Sequence, residues 1–306
     1  MLGLSLAMVI AVVIGLLVWK ATSNHGPGAE TTTPASDGVD RTVGLLREKD
    51  PVCDDWGKYA DELAEQEERW AALNKGVPAA EWTPKQHEIF DSVGEAMITA
   101  ADRFEAILPK TRNVVLQELI AQTISYLRAY VDRIPIYVES DGFIAGVANN
   151  FGGAVTYMCN AVPIVPAPSD EQEQMLSAAP DASSLAPFMA DKDPVCPKFQ
   201  ALIERQRAQL GGWMAGNSMK SAAQWTPKEE ALNAAAREVL NRDSEKLFEL
   251  GKSADNPIVS DLMLTQAAYM QAFSEVLPNY TPDDAQLWTT VTYLGGGLSS
   301  ACKAQL

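Results

Sequence analysis

Four cysteines and two histidines are the residues of this chain best suited to nucleophilic or metal chemistry. The cysteines stand at 53, 159, 196 and 302, so that the members of each successive pair are 106 residues apart, and the first of each pair ends the same string, "KDPVC", at 49–53 and 192–196. Metal ligation needs Cys, His, Asp or Glu clustered at coordinating spacing. Neither histidine supplies that: His25 lies in a Pro/Thr-rich stretch and His87 lies 34 residues past the nearest cysteine. A Ser-His-Asp or Cys-His arrangement would have to use His87, and no G-x-S-x-G elbow accompanies it. A P-loop and a G-x-G-x-x-G are also missing from the sequence. No catalytic, cofactor or metal residue is assigned, and an enzyme is the least favoured class.

The repeated string instead organises the chain. Aligning its copies sets an offset of 143 residues that holds downstream without a gap. Trp70 falls on Trp213, Asn74 on Asn217, "AAEWTPK" at 79–85 on "AAQWTPK" at 222–228, Tyr126 on Tyr269, Tyr137 on Tyr280, Gly152 and Gly153 on Gly295 and Gly296, and Cys159 on Cys302. The chain is a tandem duplication of one unit. His87 then falls on Glu230, so the histidine is not shared. The acidic run "DELAEQEER" at 61–69 falls on the differently charged "ERQRAQLGG", which reads as a solvated helix face.

Each copy reads as four helices. The first carries Trp56, Tyr59, Leu63 and Trp70 on one face. The second starts at "WTPK", with Thr83 or Thr226 as cap, Pro84 or Pro227 at the first helical position, and Gln86 or Glu229 completing a capping box. Leu116, Leu119, Ile120, Ile124, Leu127 and Val131 mark a half-buried third helix. The fourth is announced by Thr281 and Pro282 in the second copy and carries glycines that weaken a helix taken alone. "NNFGGAV" and "TYLGGGL" read as places where a helix approaches its neighbour closely, and the shared tryptophans and tyrosines read as core packing. The sequon at Asn279 overlaps the cap at Thr281.

In an up-down-up-down bundle the start of helix one and the end of helix four lie at the same end. The expected disulfides are therefore Cys53–Cys159 and Cys196–Cys302, with four buried thiols as the alternative. The fold class is all-α: an N-terminal transmembrane helix followed by two tandem-duplicated, disulfide-closed four-helix bundles. The expected organisation is a transmembrane anchor at 1–20, a flexible linker at 21–47, repeat domain 1 at 48–162, a second linker at 163–189 and repeat domain 2 at 190–306.

The anchor rests on the uncharged run from Met1 to Trp19, long enough at about 1.5 Å per residue to cross a core of about 30 Å. A cleaved signal peptide is the alternative, although no basic residue precedes the run and no clean cleavage site follows it. Lys20 on the C-terminal flank favours a cytoplasmic body, whereas the cysteine pairs favour an oxidising compartment. The expectation is a single-pass protein of the cytoplasmic membrane with its body extracytoplasmic. With 24 basic and 40 acidic residues, the chain carries a net charge of −16, which disfavours nucleic acid as a partner. Hydrophobic residues at 47% and charged residues at 21% suit packed globular domains.

This organisation, with an anchor, a Pro/Thr linker, an acidic Ala-rich body and a duplicated "KDPVC", resembles uncharacterised single-pass cell-envelope proteins of actinobacterial type. The function expected is that of a non-enzymatic adaptor or accessory subunit for a membrane or cell-wall protein complex. The alternative is an extracytoplasmic module that binds lipid or a small molecule inside its bundles.

Overall fold

A computed structural model of the chain describes residues 40–166, 175–176, 185–216 and 218–306. The expected anchor, His25, Asn217, the linker up to residue 39 and most of the linker between the repeats lie outside the described residues. Among the described residues no helix is long and apolar enough to cross a membrane. The fold is all-α with one small strand pair. Its helices are α1 (Cys53–Ala71), α2 (Pro84–Ile107), α3 (Val114–Arg133), α4 (Gly142–Ala161), α5 (Cys196–Met214), α6 (Pro227–Lys252), α7 (Pro257–Val276) and α8 (Ala285–Ala301). The start of every helix in the first half falls, at the 143-residue offset, on the start of one in the second.

Local chemistry sets those starts. Thr83 and Thr226 each accept from the third backbone N–H of the helix while Gln86 or Glu229 reaches back to the cap, and proline opens both helices. Asn113 and Asn256 cap α3 and α7 through two backbone N–H groups each. The "WTPK" loops are stitched alike: Trp82 Nε1 donates to the Val77 carbonyl at 2.9 Å, and Trp225 Nε1 donates to the Lys220 carbonyl at 3.0 Å. Ala79 and Ala222 in turn donate to the carbonyls of Tyr137 and Tyr280.

"KDPVC" proves to be a joint. Pro51 and Pro194 sit in the turn before the helix rather than opening it, and the helices begin at the cysteines. Asp50 is buried; its Oδ1 accepts from Val52 N at 3.0 Å, and its Oδ2 accepts from Arg112 N at 2.8 Å and Asn113 N at 2.9 Å. Asp193 repeats this with Val195 N at 2.8 Å and Asn256 N at 2.7 Å. One carboxylate thus ties the entry of the first helix to the entry of the third. The adjacent cysteine ties the same point to the end of the fourth: Cys53 is bonded to Cys159 and Cys196 to Cys302.

The halves do not stand apart as two bundles on a flexible tether. Buried residues from both form one continuous core, and the most extensive helix–helix contact in the molecule is between α4 and α8. Their glycines make that possible. A Cβ added to Gly153 would overlap the Tyr293 ring, one added to Gly296 the Asn150 side chain, and one added to Gly297 the Phe151 ring. Asn150 and Tyr293 are equivalent positions, as are Gly153 and Gly296. The crossing is therefore reciprocal, as at a two-fold interface between identical subunits. Tyr157 and Tyr293 stack across it at 5.2 Å.

The ends of both expected linkers also belong to the core. Val43, Leu45 and Leu46 are buried, as is Met189, with Leu185 and Phe188 packed alongside. Strand β1 (Thr42–Val43) pairs antiparallel with β2 (Met175–Leu176) and touches both α3 and α7. The backbone N–H of Leu46 donates to the Tyr269 hydroxyl of the second half, while Phe188 N and the Ala186 carbonyl bond the Gln122 side chain of the first. Each arm thus bonds the opposite repeat as well as its own, since Val114 N donates to the Asp40 carbonyl and Asn256 Nδ2 to the Phe188 carbonyl. Their apolar residues, "VGLL" and "LAPFM", outweigh the polar composition that marks these segments as linkers.

Three substitutions test this frame. Asp50→Ala strands three backbone N–H groups, two of them buried, and lowers stability by about 2–4 kcal/mol, read as a shift in the urea unfolding midpoint. Gly297→Ala forces a methyl group into Phe151 and costs about 1–3 kcal/mol. Gly211→Ala, in α5 with open space around it, stabilises by about 0.5–1 kcal/mol in the same assay.

Candidate functional site

The four cysteines singled out by spacing are all consumed in the two disulfides, so none offers a thiol. His87 is exposed and lies edge-on to Trp82, with centroids 5.3 Å apart. Among the described residues no group of three or more His, Cys, Asp or Glu could hold a metal ion. Two grooves open on the surface. One of about 570 Å³ lies between α5 and α6 and is lined by Lys198, Arg205, Glu245 and Lys246 together with Leu202 and Leu250. The other, about 440 Å³, lies over the Cys196–Cys302 disulfide.

Two clusters of titratable side chains stand out. The first is in the first half only. Glu67 Oε1 is buried without a hydrogen-bond partner, and its burial pushes the carboxyl up to about 7 against the opposing pull of Lys75. Burial likewise lowers the Lys75 amine to about 8. Lys75 Nζ bonds the Trp70 carbonyl and lies 4.1 Å over the Trp70 ring, whose Nε1 donates to the Tyr130 hydroxyl at 3.1 Å. In the second half Leu210, Ser218 and Phe273 occupy the positions of Glu67, Lys75 and Tyr130. With no hydroxyl to meet it, Trp213 Nε1 turns to Asn233 of α6, at 2.7 Å. The acidic run at 61–69 is thus largely a solvated face, with Glu67 as its exception.

The second cluster sits between the halves. Glu118 of α3 and Asp261 of α7 are equivalent positions, buried to 1% and 4% exposure. Burial, followed by the neighbouring Asp261, pushes the Glu118 carboxyl up to about 10. The sequence does carry a signal for this pair: a single acid inside "VVLQELIAQTI" and another inside "PIVSDLMLTQAA", at the shared offset. Helical periodicity places both on the apolar face, where an acid needs a partner.

The exposed apolar side chains follow a different rule from the buried ones. Trp70, Trp82, Tyr126, Tyr137, Tyr269 and Tyr280 are buried as core residues, whereas Trp213 and Trp225 remain partly exposed. In the first half the turn between α3 and α4 exposes Ile136, at 62%, together with Val138 and Phe143. Their equivalents are Asn279, Thr281 and Gln286. The second half exposes instead Met219, at 61%, with Met214 and Leu232, from the segment joining α5 to α6 and its flanks. Their equivalents are Gly76, Ala71 and the buried Ile89. Both sets lie at the end of their half opposite the disulfide, yet no position is shared between them.

Comparison with known proteins finds relatives that span nearly the whole chain. A protein of Mycolicibacterium smegmatis (strain MKD8), described as uncharacterised, is 26% identical over 322 residues, which cover 97% of this chain and 85% of the relative. No solved structure gives a significant match. A family described as mycobacterial ESX-1 associated protein matches residues 35–306, from the first arm through both repeats to the C-terminus, and the chain belongs to that family.

Proposed function

We propose that this protein is a non-enzymatic accessory subunit of the ESX-1 secretion machinery, an adaptor that offers two different apolar faces from one rigid body. The observation that carries the reading is the divergence of the two halves. Buried positions and caps repeat at the offset, while Ile136, Val138 and Phe143 on one half and Met214, Met219 and Leu232 on the other do not. Exposed apolar groups clustered in this way mark protein contact, and methionine adapts readily to a partner's shape. Family membership supports a partner within a secretion complex. The disulfides support a body on the oxidising side of the membrane, held there by the N-terminal apolar run.

Two double variants test the two faces separately, Ile136→Ser with Val138→Ser and Met214→Ser with Met219→Ser. Each keeps the wild-type melting temperature. Each weakens co-purification with ESX-1 components by about tenfold, the loss of one good apolar contact, and the two variants lose different components. Undiminished association and undiminished ESX-1 secretion in both variants would overturn the adaptor.

A further inference from the structure

The two disulfides occupy equivalent places in the fold, but the charges beside them differ. In the first half Cys53 is followed by Asp54 and Asp55 in the first turn of α1. In the second, Cys196 is followed by Pro197 and Lys198, and the first turn of α5 holds no acid. Lys49 is paired with Asp54 at 2.5 Å. Its equivalent, Lys192, has Pro197 at that position, makes no ion pair among the described residues, and lines the groove of about 440 Å³ together with Cys196 and Cys302. At the other sulfur, Lys303 follows Cys302 where Asn160 follows Cys159. We propose that Cys196–Cys302 is a thiol–disulfide exchange site, which a dithiol opens ahead of Cys53–Cys159, so that a reductant acts on the second half first.

The groove gives a dithiol its approach, since both bonded cysteines line it. A thiolate of the dithiol bonds to Sγ of Cys302, next to Lys303 in the chain; the disulfide breaks, and its electron pair leaves on Sγ of Cys196. The second thiol of the dithiol then displaces Cys302 from the mixed disulfide. The dithiol ends as a disulfide, and the chain gains two electrons and two protons as two thiols. A leaving thiolate is stabilised at a helix start and beside lysines, and aspartates beside it oppose its charge. Cys196 leaves in the first setting, at the head of α5 with Lys192 and Lys198. Cys53, the corresponding leaving group of the other bond, has Asp54 and Asp55 next to it. The less strongly the leaving sulfur holds a proton, the faster the bond opens.

Other charges at these ends are matched between the halves or stand further along the chain. Asp50 and Asp193 are both buried and accept backbone N–H groups, and an exposed acid precedes each lysine, Glu48 in one copy and Asp191 in the other. Lys110, which pairs with Asp55 at 2.6 Å, is Ser253 in the second half, and Arg112 is Asp255. Those positions belong to the loop before the third helix and do not adjoin the sulfurs in sequence. Exposure runs the other way, for Cys159 is partly exposed while Cys302 is 8% exposed. Charge and exposure therefore favour opposite orders of opening, and entry through the groove is what lets charge decide.

Partial reduction of the folded full chain with dithiothreitol tests the exchange site. Free thiols are blocked with N-ethylmaleimide at successive times, and each cysteine-bearing peptide is read by mass spectrometry. In low salt Cys196 and Cys302 are expected to be labelled at least about threefold faster than Cys53 and Cys159, and the gap is expected to narrow at about 1 M NaCl. Placing the first half's residues in the second, Pro197→Asp with Lys198→Asp, is expected to slow the second bond by about threefold or more. The reverse exchange, Asp54→Pro with Asp55→Lys, is expected to speed the first bond by a similar factor. Equal rates in the wild type, or earlier opening of Cys53–Cys159, overturn the site, as do rates that neither exchange of residues changes. Should a variant not fold, the wild-type order and its salt dependence decide.

Discussion

Helices α4 and α8 can lie against each other because at each point of closest approach one of them carries a glycine, and the rest of the molecule is arranged around that contact. Gly153 receives the Tyr293 ring, Gly296 receives Asn150, and Gly297 receives Phe151. Taken alone, glycines in a helix lower its stability by about 1 kcal/mol each. Here the same residues let two apolar helices without a charged side chain bury one another, and the dispersion and hydrophobic gain of that burial offsets the cost. Once the fourth helices are joined in this way, the disulfide at the end of each carries the constraint back to the first helix. Asp50 and Asp193 then carry it on to the third. Crossing, disulfide and aspartate form one chain of restraints running through both halves.

That arrangement explains why a duplicated sequence gives one body rather than two beads. A four-helix unit made only of its own residues would leave the glycine face of its fourth helix open to water. In this chain the second copy covers the face of the first, and the arms tie the two together by bonding the third helix of the other repeat as well as their own repeat. The result has the geometry of a symmetric dimer, with the concentration dependence of a dimer removed by the covalent connection.

What could be read from the sequence was whatever depends on local chemistry or on the offset. Thr-Pro starts, capping residues and cysteine pairing need only neighbours along the chain, or one topological rule, and they appear as expected. The arms read as linkers because Pro, Ser and acidic residues dominate a composition window, while three apolar side chains in each pack against the core. Glu67 was hidden for a related reason: a run of acids reads as a solvated face, and which one of them turns inward depends on where Lys75 and Trp70 meet it in space. Glu118 and Asp261 depend on a tertiary contact between helices 143 positions apart. Periodicity puts each on an apolar face but does not reveal that they face each other.

The pair is also where the internal symmetry has a chemical consequence. A side chain close to a two-fold axis meets its own equivalent, so a carboxyl there must face a carboxyl. Two like charges in a buried contact repel, which strengthens the hold of such a carboxyl on its proton. At this position both copies carry an acid, one a glutamate and the other an aspartate, and the Glu118 carboxyl holds the proton well above the usual carboxylate range. Surface positions were under no such constraint and diverged freely, giving the unlike exposed residues of the two halves. The duplication therefore acts in opposite ways at the two levels: in the interior it forces equivalent groups together and couples them, and at the surface it lets one fold carry two different faces.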